Sequence, residues 1–255
     1  MSILDSFKLD GKIALVTGAS TGLGQAMAIA LAQAGANVIC HSNSKSPDAT
    51  VATIESLGRK AFAITGDLSD KNTPQRIFNE TLDHFGKLDI LINNAGTIRR
   101  APAVDFSEED WTHVLEVNLS SVFRLSQLFG RQMIERNEGG KIVNIASLLS
   151  FQGGVTVPSY AASKGGAAQL TKSLANEWAK FNINVNAIAP GYFKTDNTLA
   201  LQNDETRNRQ ILERIPAGRW GNPGDLAGAV VFLSSKASEY LHGHILTVDG
   251  GWMAR

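Results

Sequence analysis

The sequence predicts a single α/β domain, a doubly wound Rossmann-type unit with a parallel sheet of about seven strands and helices on both faces. Three observations lead there. Short β-rich runs alternate with helix-length segments along the whole chain. Most of these runs are almost continuously apolar, as strands covered on both faces are. A glycine-rich turn joins the first run to the first helical segment. Alternation of this kind favours parallel strands linked by right-handed crossovers. The 255 residues suffice for a sizeable core, and no linker, repeat or low-complexity tract divides them, so one unit over 1–255 is expected.

The first strand is "KIALVTG" (12–18), and the first helix is "GLGQAMAIALAQAG" (22–35). Strands follow at "NVICHS" (37–42), "AFAITGD" (61–67), "LDILINNAG" (88–96), "GKIVNIAS" (140–147), "INVNAIAP" (183–190) and "HILTVDGG" (244–251). Two long helices are expected at about 107–135 and 158–181, and a shorter one at "GDLAGAVVFLSS" (224–235). The polar stretch 192–214 follows a Pro-Gly and breaks the alternation; it reads as a helical lid over the site or as a plain surface helix pair.

Composition excludes several classes of function. Basic and acidic residues balance at 24 each, so nothing draws the chain toward nucleic acid or an anionic membrane. Cys40 is the one cysteine, which rules out an internal disulfide and a thiolate metal cage. His242 and His244 are the one His pair with ligand-like spacing and read as structural, so no metal site is expected. No apolar run reaches the roughly 18 residues of a membrane span, and "MSILDSFKLDGK" lacks a basic region followed by an apolar one, so a soluble cytoplasmic protein is expected.

The turn "TGASTGLG" (17–24) places Gly18, Gly22 and Gly24 between a strand and a helix. Glycines let the backbone turn tightly and approach a pyrophosphate, and the helix start offers free N–H groups and a positive dipole end. This context points to a dinucleotide. At the end of the second strand an acid would read the ribose hydroxyls of NAD, and a base would favour the 2′-phosphate of NADP. Here Ser42 stands where the carboxylate is expected, with Asn43 beside it, and Thr21 rather than an arginine occupies the glycine loop. The pattern leans toward tolerating NADP and leaves NAD or NADP open.

Ser147 ends the fifth strand, at the sheet edge where open α/β sheets bind ligands. Tyr160 follows in "SYAASKGG", and Lys164 lies one helical turn beyond on the same face. A cation beside a phenol favours the phenolate, so the pair reads as a proton donor tuned toward neutrality. Asn118 is a polar amide inside a long helix. Each residue alone has an ordinary reading as cap, core or solvated side chain; structural roles do not demand the four together behind a phosphate loop.

With "NNAG" (93–96) and "PG" (190–191), these residues closely resemble the short-chain dehydrogenase/reductase family over nearly the whole chain. The resemblance implies that Tyr160 is the general acid or base, that Lys164 lowers its pKa and holds the nicotinamide ribose, and that Ser147 polarises the substrate carbonyl. It implies that Asn118 anchors a proton-relaying water. It places Gly18, Ser20, Thr21, Gly22, Leu23, Gly24, Ser42, Asn43, Asp67, Leu68, Asn94, Ala95, Gly96, Ile188, Pro190, Gly191 and Thr195 along the cofactor, with Tyr160 and Lys164.

Within the family, "NNAGTIRRAPAVDFSEEDW" (93–111), "IASLLSFQGG" (145–154) and "IPAGRWG" (215–221) are most similar to the branch that interconverts keto and hydroxy groups on deoxy sugar acids in uronate breakdown. A sugar acid carries a carboxylate, for which Arg is the bidentate partner. Arg99 and Arg100 follow "NNAG" at the cleft edge, and Arg214 lies in the polar stretch; Gln152 and Tyr192 are candidates for hydroxyl contacts. The alternatives are a 3-ketoacyl thioester reductase, a gluconate or polyol dehydrogenase, and a cofactor-sensing module without catalysis. Apolar positions on the two long helices (Val122, Phe123, Leu170, Trp178), and Trp252 near the C-terminus, read as interface residues. The resemblance implies a homotetramer.

Overall fold

In the computed structural model, which describes residues 2–255, the predicted runs pair into one parallel sheet. Met1, where the predicted unit begins, lies outside the described residues. The strands are β1 (Ile13–Val16), β2 (Asn37–Ser42), β3 (Ala61–Thr65), β4 (Ile90–Asn93), β5 (Gly140–Ile145), β6 (Ile183–Pro190) and β7 (Ile245–Val248), in the order β3-β2-β1-β4-β5-β6-β7. Between β1 and β4 the direction of winding reverses, and that switch point opens a crevice at the carboxyl ends of the strands.

The apolar runs are explained by burial on both faces. In β1, Ala14 and Val16 enter one core, while Ile13 and Leu15 enter the other. Val38 and Cys40 against Ile39 in β2, and Ile90 and Ile92 against Leu91 in β4, repeat the division. Successive side chains of a strand point to opposite faces, so a doubly covered strand has no polar phase.

The helices are α1 (Gly22–Gln33), α2 (Asp48–Ser56), α3 (Thr73–Phe85), α4 (Glu108–Leu115), α5 (Ser121–Arg136), α6 (Pro158–Trp178), α7 (Leu199–Asn203), α8 (Glu205–Arg214) and α9 (Ala227–Ser234). Residues of α1, α2 and α9 fill the first core; those of α3, α5 and α6 fill the second. Local signals set several ends. Pro158 opens α6, where no intrahelical N–H is needed. Gly86, at φ 73°, ends α3 in the left-handed conformation that favours glycine. Between the sheet and the second core, Asn93 donates to Ser126 (3.1 Å) and Asn144 (2.8 Å), and Asn144 donates to Thr171 (2.9 Å). This buried chain fixes β4 and β5 against α5 and α6 with its donors satisfied.

The expected helix over 107–135 is interrupted. A π-turn over Glu116–Ser120 separates α4 from α5, and Asn118 lies in it. The interface reading also needs correction for three residues. Val122 and Trp178 are buried within the chain. Trp178 lies against Gly130, where a Cβ would meet its ring at 2.7 Å, so the glycine of α5 is what seats the indole. Trp252 is buried too, packed beside Tyr192 with Ile211, Ile215 and Trp220. Phe123 alone of the two long helices' large apolar side chains is exposed.

Candidate active site

The crevice at the switch point is a cavity of about 690 Å³ that runs from the glycine loop to Tyr160. Gly18 (φ 68°) and Gly22 (φ 58°) hold the left-handed conformations that make the turn. Gly24 allows the start of α1 to sit on the loop: a Cβ there would lie 2.0 Å from the Gly18 carbonyl oxygen. Asn94 clamps the loop from β4, its side-chain N–H₂ donating to the carbonyls of Thr17 (2.8 Å) and Gly18 (3.2 Å). Gly96 lies beside Asn118 and Lys164, and a Cβ would come within 3.7 Å of the Lys164 Nζ. That is ordinary contact distance, so Gly96 is not required by packing there as Gly24 is.

Ser147, Tyr160 and Lys164 are brought together at the far end of this cavity. The Ser147 hydroxyl accepts from the Leu149 N–H (3.2 Å), which orients the oxygen and leaves its proton to donate outward. Ser150 accepts from the Ser147 N–H (3.3 Å) and donates to the Lys164 carbonyl (2.8 Å), so it ties the strand end to α6. Lys164 is 4% exposed and donates to the Ile145 carbonyl (2.6 Å), with Nζ 5.8 Å from the Tyr160 ring centre.

The electrostatics invert one expectation. Burial pushes the Tyr160 phenol up, opposed by a hydrogen bond from Ser147 and by the charge of Arg100. Burial pushes the Lys164 ammonium down to about 8. Without cofactor, then, Tyr160 is a protonated acid held for donation, and desolvation outweighs the help expected from the neighbouring lysine. Because the folded-state value of Lys164 lies below its ordinary 10.5, the folded protein holds fewer protons than the unfolded chain between about pH 8 and 10.5. Stability from this group therefore rises with pH through that window; below it the buried charge costs roughly 3 kcal/mol. Lys164→Met is expected to melt above the wild type at pH 7, with the gap closing toward pH 10.5. Parallel melting curves at the two pH values test this; a gap that widens with pH would contradict it.

Most predicted positions meet in this cavity. The glycine loop, Asn43, Asp67, Leu68, Asn94, Ala95, Gly96, Pro190, Gly191, Thr195 and Arg99 all line it. The exceptions have physical reasons. Ser42 is buried and donates to the Lys45 carbonyl (2.6 Å), closing its own turn, so His41 and Asn43 line the wall instead. Ile188 lies within β6, paired to Ile145 and Leu246, and its side chain is core. The chain reaches the cleft after Pro190, where Phe193 lines it. Asn118 is committed on both amide atoms. It accepts from the Thr97 N–H (2.8 Å) and donates to the Thr97 carbonyl (2.9 Å) and to Ser163 (3.1 Å), which pins the loop after β4. Arg214 stacks 4.0 Å over the Trp252 ring and reaches Gln152 at 3.5 Å, and Tyr192 packs edge-on against Trp220. None of these three lines the cavity.

The two arginines differ. Arg99 is already paired with Asp110 (3.2 Å) and bonded to Thr97 (3.1 Å). Arg100 does not line the cavity, has no ion pair among the described residues, and acts on the Tyr160 phenol through its charge. Sequence reasoning missed His113, Val117 and Phe193; a helical step of four from His113 to Val117 was the one available signal.

The residues present suit a nicotinamide dinucleotide: a glycine cradle at one end, a Ser–Tyr–Lys set at the other, and no carboxylate at the end of β2. Among the described residues no group of three His, Cys, Asp or Glu is placed to hold a metal ion, and no helix is long and apolar enough to cross a membrane.

Comparison with known proteins agrees with this arrangement. A family model described as enoyl-(acyl carrier protein) reductase matches residues 18–253. The 2-dehydro-3-deoxy-D-gluconate 5-dehydrogenase of Bacillus subtilis is 55% identical over 253 residues, covering 98% of both chains. That of Dickeya dadantii is 53% identical, covering 99% of this chain and 100% of its own. A crystal structure from Agrobacterium tumefaciens, provisionally assigned as a 2-deoxy-D-gluconate 3-dehydrogenase and holding NADP, superposes with a TM-score of 0.93 at 55% identity, over 98% of this chain and 100% of that one. The chain thus belongs to the short-chain dehydrogenase/reductase family and is an NAD(P)-dependent oxidoreductase.

Proposed function

We propose that the protein interconverts a keto and a hydroxy group on a deoxy sugar acid of the 2-dehydro-3-deoxy-D-gluconate type. The observation that carries this reading is the set of Ser147, Tyr160 and Lys164 in the cavity, with two adjacent guanidinium groups at its rim: Arg99 in the wall and Arg100 beside it, the latter without an ion pair among the described residues. A carboxylate held at this rim would leave the rest of the sugar chain to enter the cavity toward Ser147 and Tyr160. The names of the relatives support the same substrate class.

In reduction Tyr160 donates its proton to the carbonyl oxygen, while the outward proton of Ser147 holds that oxygen as charge builds on it. In oxidation Tyr160 takes the hydroxyl proton back. Lys164, fixed on the Ile145 carbonyl, keeps two N–H protons for ribose hydroxyls of a bound nucleotide. The nicotinamide supplies the hydride; the residues above supply binding, orientation and the proton. Asn118 acts on this set by holding the Thr97 loop. His41 and Asn43 in the wall carry no carboxylate to repel a 2′-phosphate, and NADP binding by the related structure supports use of that cofactor.

Thr195 to Thr198, which line the cavity, lead into α7 and α8. The stretch 192–214 serves as a lid whose outer end is anchored on Trp220 and Trp252, within a single domain. A cytoplasmic homotetramer is part of the same proposal, with the exposed Phe123 of α5 at a helix-pairing interface.

The test is a nicotinamide-absorbance assay with a 5-keto sugar acid, NADH and NADPH in parallel, and 5-keto-gluconate and an acetoacetyl thioester as competing substrates. Highest kcat/KM with the deoxy sugar acid and NADPH is expected. Turnover of the thioester alone would replace this reading with fatty-acyl chemistry.

A further inference from the structure

A second cavity, of about 180 Å³, lies at the opposite edge of the sheet, where β5 begins. Its walls come from the chain before β1, the start of β5, and the segment from the end of α9 to His242. The proposed reaction makes no use of it.

Its lining is basic. Lys8, Lys12, Lys141 and Lys236 face it, against Asp89, Glu138 and Glu239. Two of the three acids are already neutralised by two cations: Arg136 pairs with Asp89 (2.8 Å) and Glu138 (2.9 Å), and Lys87 with Asp89 (3.3 Å) and Glu138 (4.0 Å). Lys8 is spent on Asp5 (2.5 Å). Lys12, Lys141 and Lys236 remain, opposed by the exposed Glu239. Lys141 is half-buried, and its ammonium donates to the Asn184 side-chain oxygen (2.8 Å). Burial pushes it down to about 8, opposed by Glu239 and aided by the smaller effect of Lys12. Desolvation is what disfavours this ammonium, and an anion brought beside it would offset that cost.

Two more polar groups in the lining have no protein partner. The Ser234 hydroxyl is buried and unbonded, on a residue only 3% exposed. His242 is held through Nε2 by Asn184 (3.3 Å), and its Nδ1 is buried without a partner. Buried polar atoms left unpaired are uncommon and call for a ligand or water. Ammonium point charges, a hydroxyl and an imidazole nitrogen suit a tetrahedral oxyanion; a carboxylate site would present the flat fork of an arginine, and the nearby Arg136 is occupied.

We propose that this cavity is a phosphate-binding site, distinct from the nucleotide cleft, held by Lys12, Lys141, Lys236 and Ser234. Phosphate there would bridge the N-terminal segment, β5 and the end of α9.

The experiment is thermal unfolding of the NADP-saturated protein, so that the cleft is filled, with potassium phosphate titrated against potassium chloride at matched ionic strength. The expected result is a Tm that rises with the logarithm of phosphate concentration, by about 3–6 °C at ten times the Kd. The Lys12→Ala/Lys236→Ala variant, altered at two exposed side chains, should keep wild-type turnover and lose most of that shift. Ser234→Ala should weaken phosphate binding several-fold. A small phosphate monoester in place of inorganic phosphate distinguishes the sources: a larger shift marks a phosphorylated metabolite, an equal or smaller one the free ion, and both support the site. A shift that is linear in salt and the same in wild type and variants, or no shift at all, overturns it.

Discussion

Tyr160→Phe is expected to lower kcat by about 10²–10⁴-fold in both directions. The substitution removes one oxygen and its proton and leaves the ring. Ser147 keeps its orientation, because the Leu149 N–H and Ser150 hold it independently of the phenol. Lys164 keeps its bond to the Ile145 carbonyl. NADP affinity should change by no more than about tenfold, the worth of one neutral hydrogen bond. The pH profile gives a second readout. Burial raises the phenol's pKa, so the wild type holds the proton at neutral pH and oxidation should accelerate as pH rises toward deprotonation. The variant has no such group and its residual oxidation should lose that slope. Steady-state kinetics in both directions, with NADP titrated by fluorescence, measure all three. Turnover within tenfold of wild type would mean that another group supplies the proton, and the set of Ser147, Tyr160 and Lys164 would lose its meaning.

The part of this site that sequence reveals is the part fixed by local geometry. Tyr160 and Lys164 are four residues apart on one helix, so their shared face is readable before any fold is known. The glycine loop is readable because Gly18 and Gly22 need positive φ and Gly24 needs contact without a Cβ. The strands were legible because double burial erases the polar phase. What stayed hidden depends on three-dimensional context. Ser42 and Asn43 are neighbours, and which one faces the cleft is decided by the bond from Ser42 to Lys45. Whether Ile188 or Phe193 lines the site depends on how far β6 runs before the chain turns. The π-turn around Asn118 leaves no periodic trace, since one extra residue in a helix looks like a shifted phase. Trp178 looked like an interface residue because Gly130, which seats it, lies on another helix. The sign of the Tyr160 shift depends on burial, which pattern alone does not measure.

The same limit applies to Arg99 and Arg100, which sequence presents as equivalent and the structure separates. Arg100→Ala is expected to lower kcat/KM for the sugar acid by about 10–150-fold, the worth of a charge-assisted hydrogen bond at about 1.5–3 kcal/mol. Most of the loss should fall on KM, because a carboxylate remote from the reacting carbon is held alike in ground and transition states. Arg99→Ala loses an exposed pair with Asp110, worth about 0–1 kcal/mol, and should change KM by less than about fivefold. Arg100→Lys keeps the charge without the bidentate fork and should fall between. A neutral polyol offered as substrate should be turned over alike by wild type and Arg100→Ala at the same pH, apart from a smaller effect through the phenol. That effect has a defined sign. The Arg100 charge lowers the Tyr160 pKa, so its removal lets burial raise the phenol further and moves the oxidation profile toward alkaline pH. An alkaline shift without a change in KM would assign Arg100 to the phenol alone. Equal losses in Arg99→Ala and Arg100→Ala would mean that the Asp110 pair opens when substrate binds, and that the carboxylate is shared between both guanidinium groups.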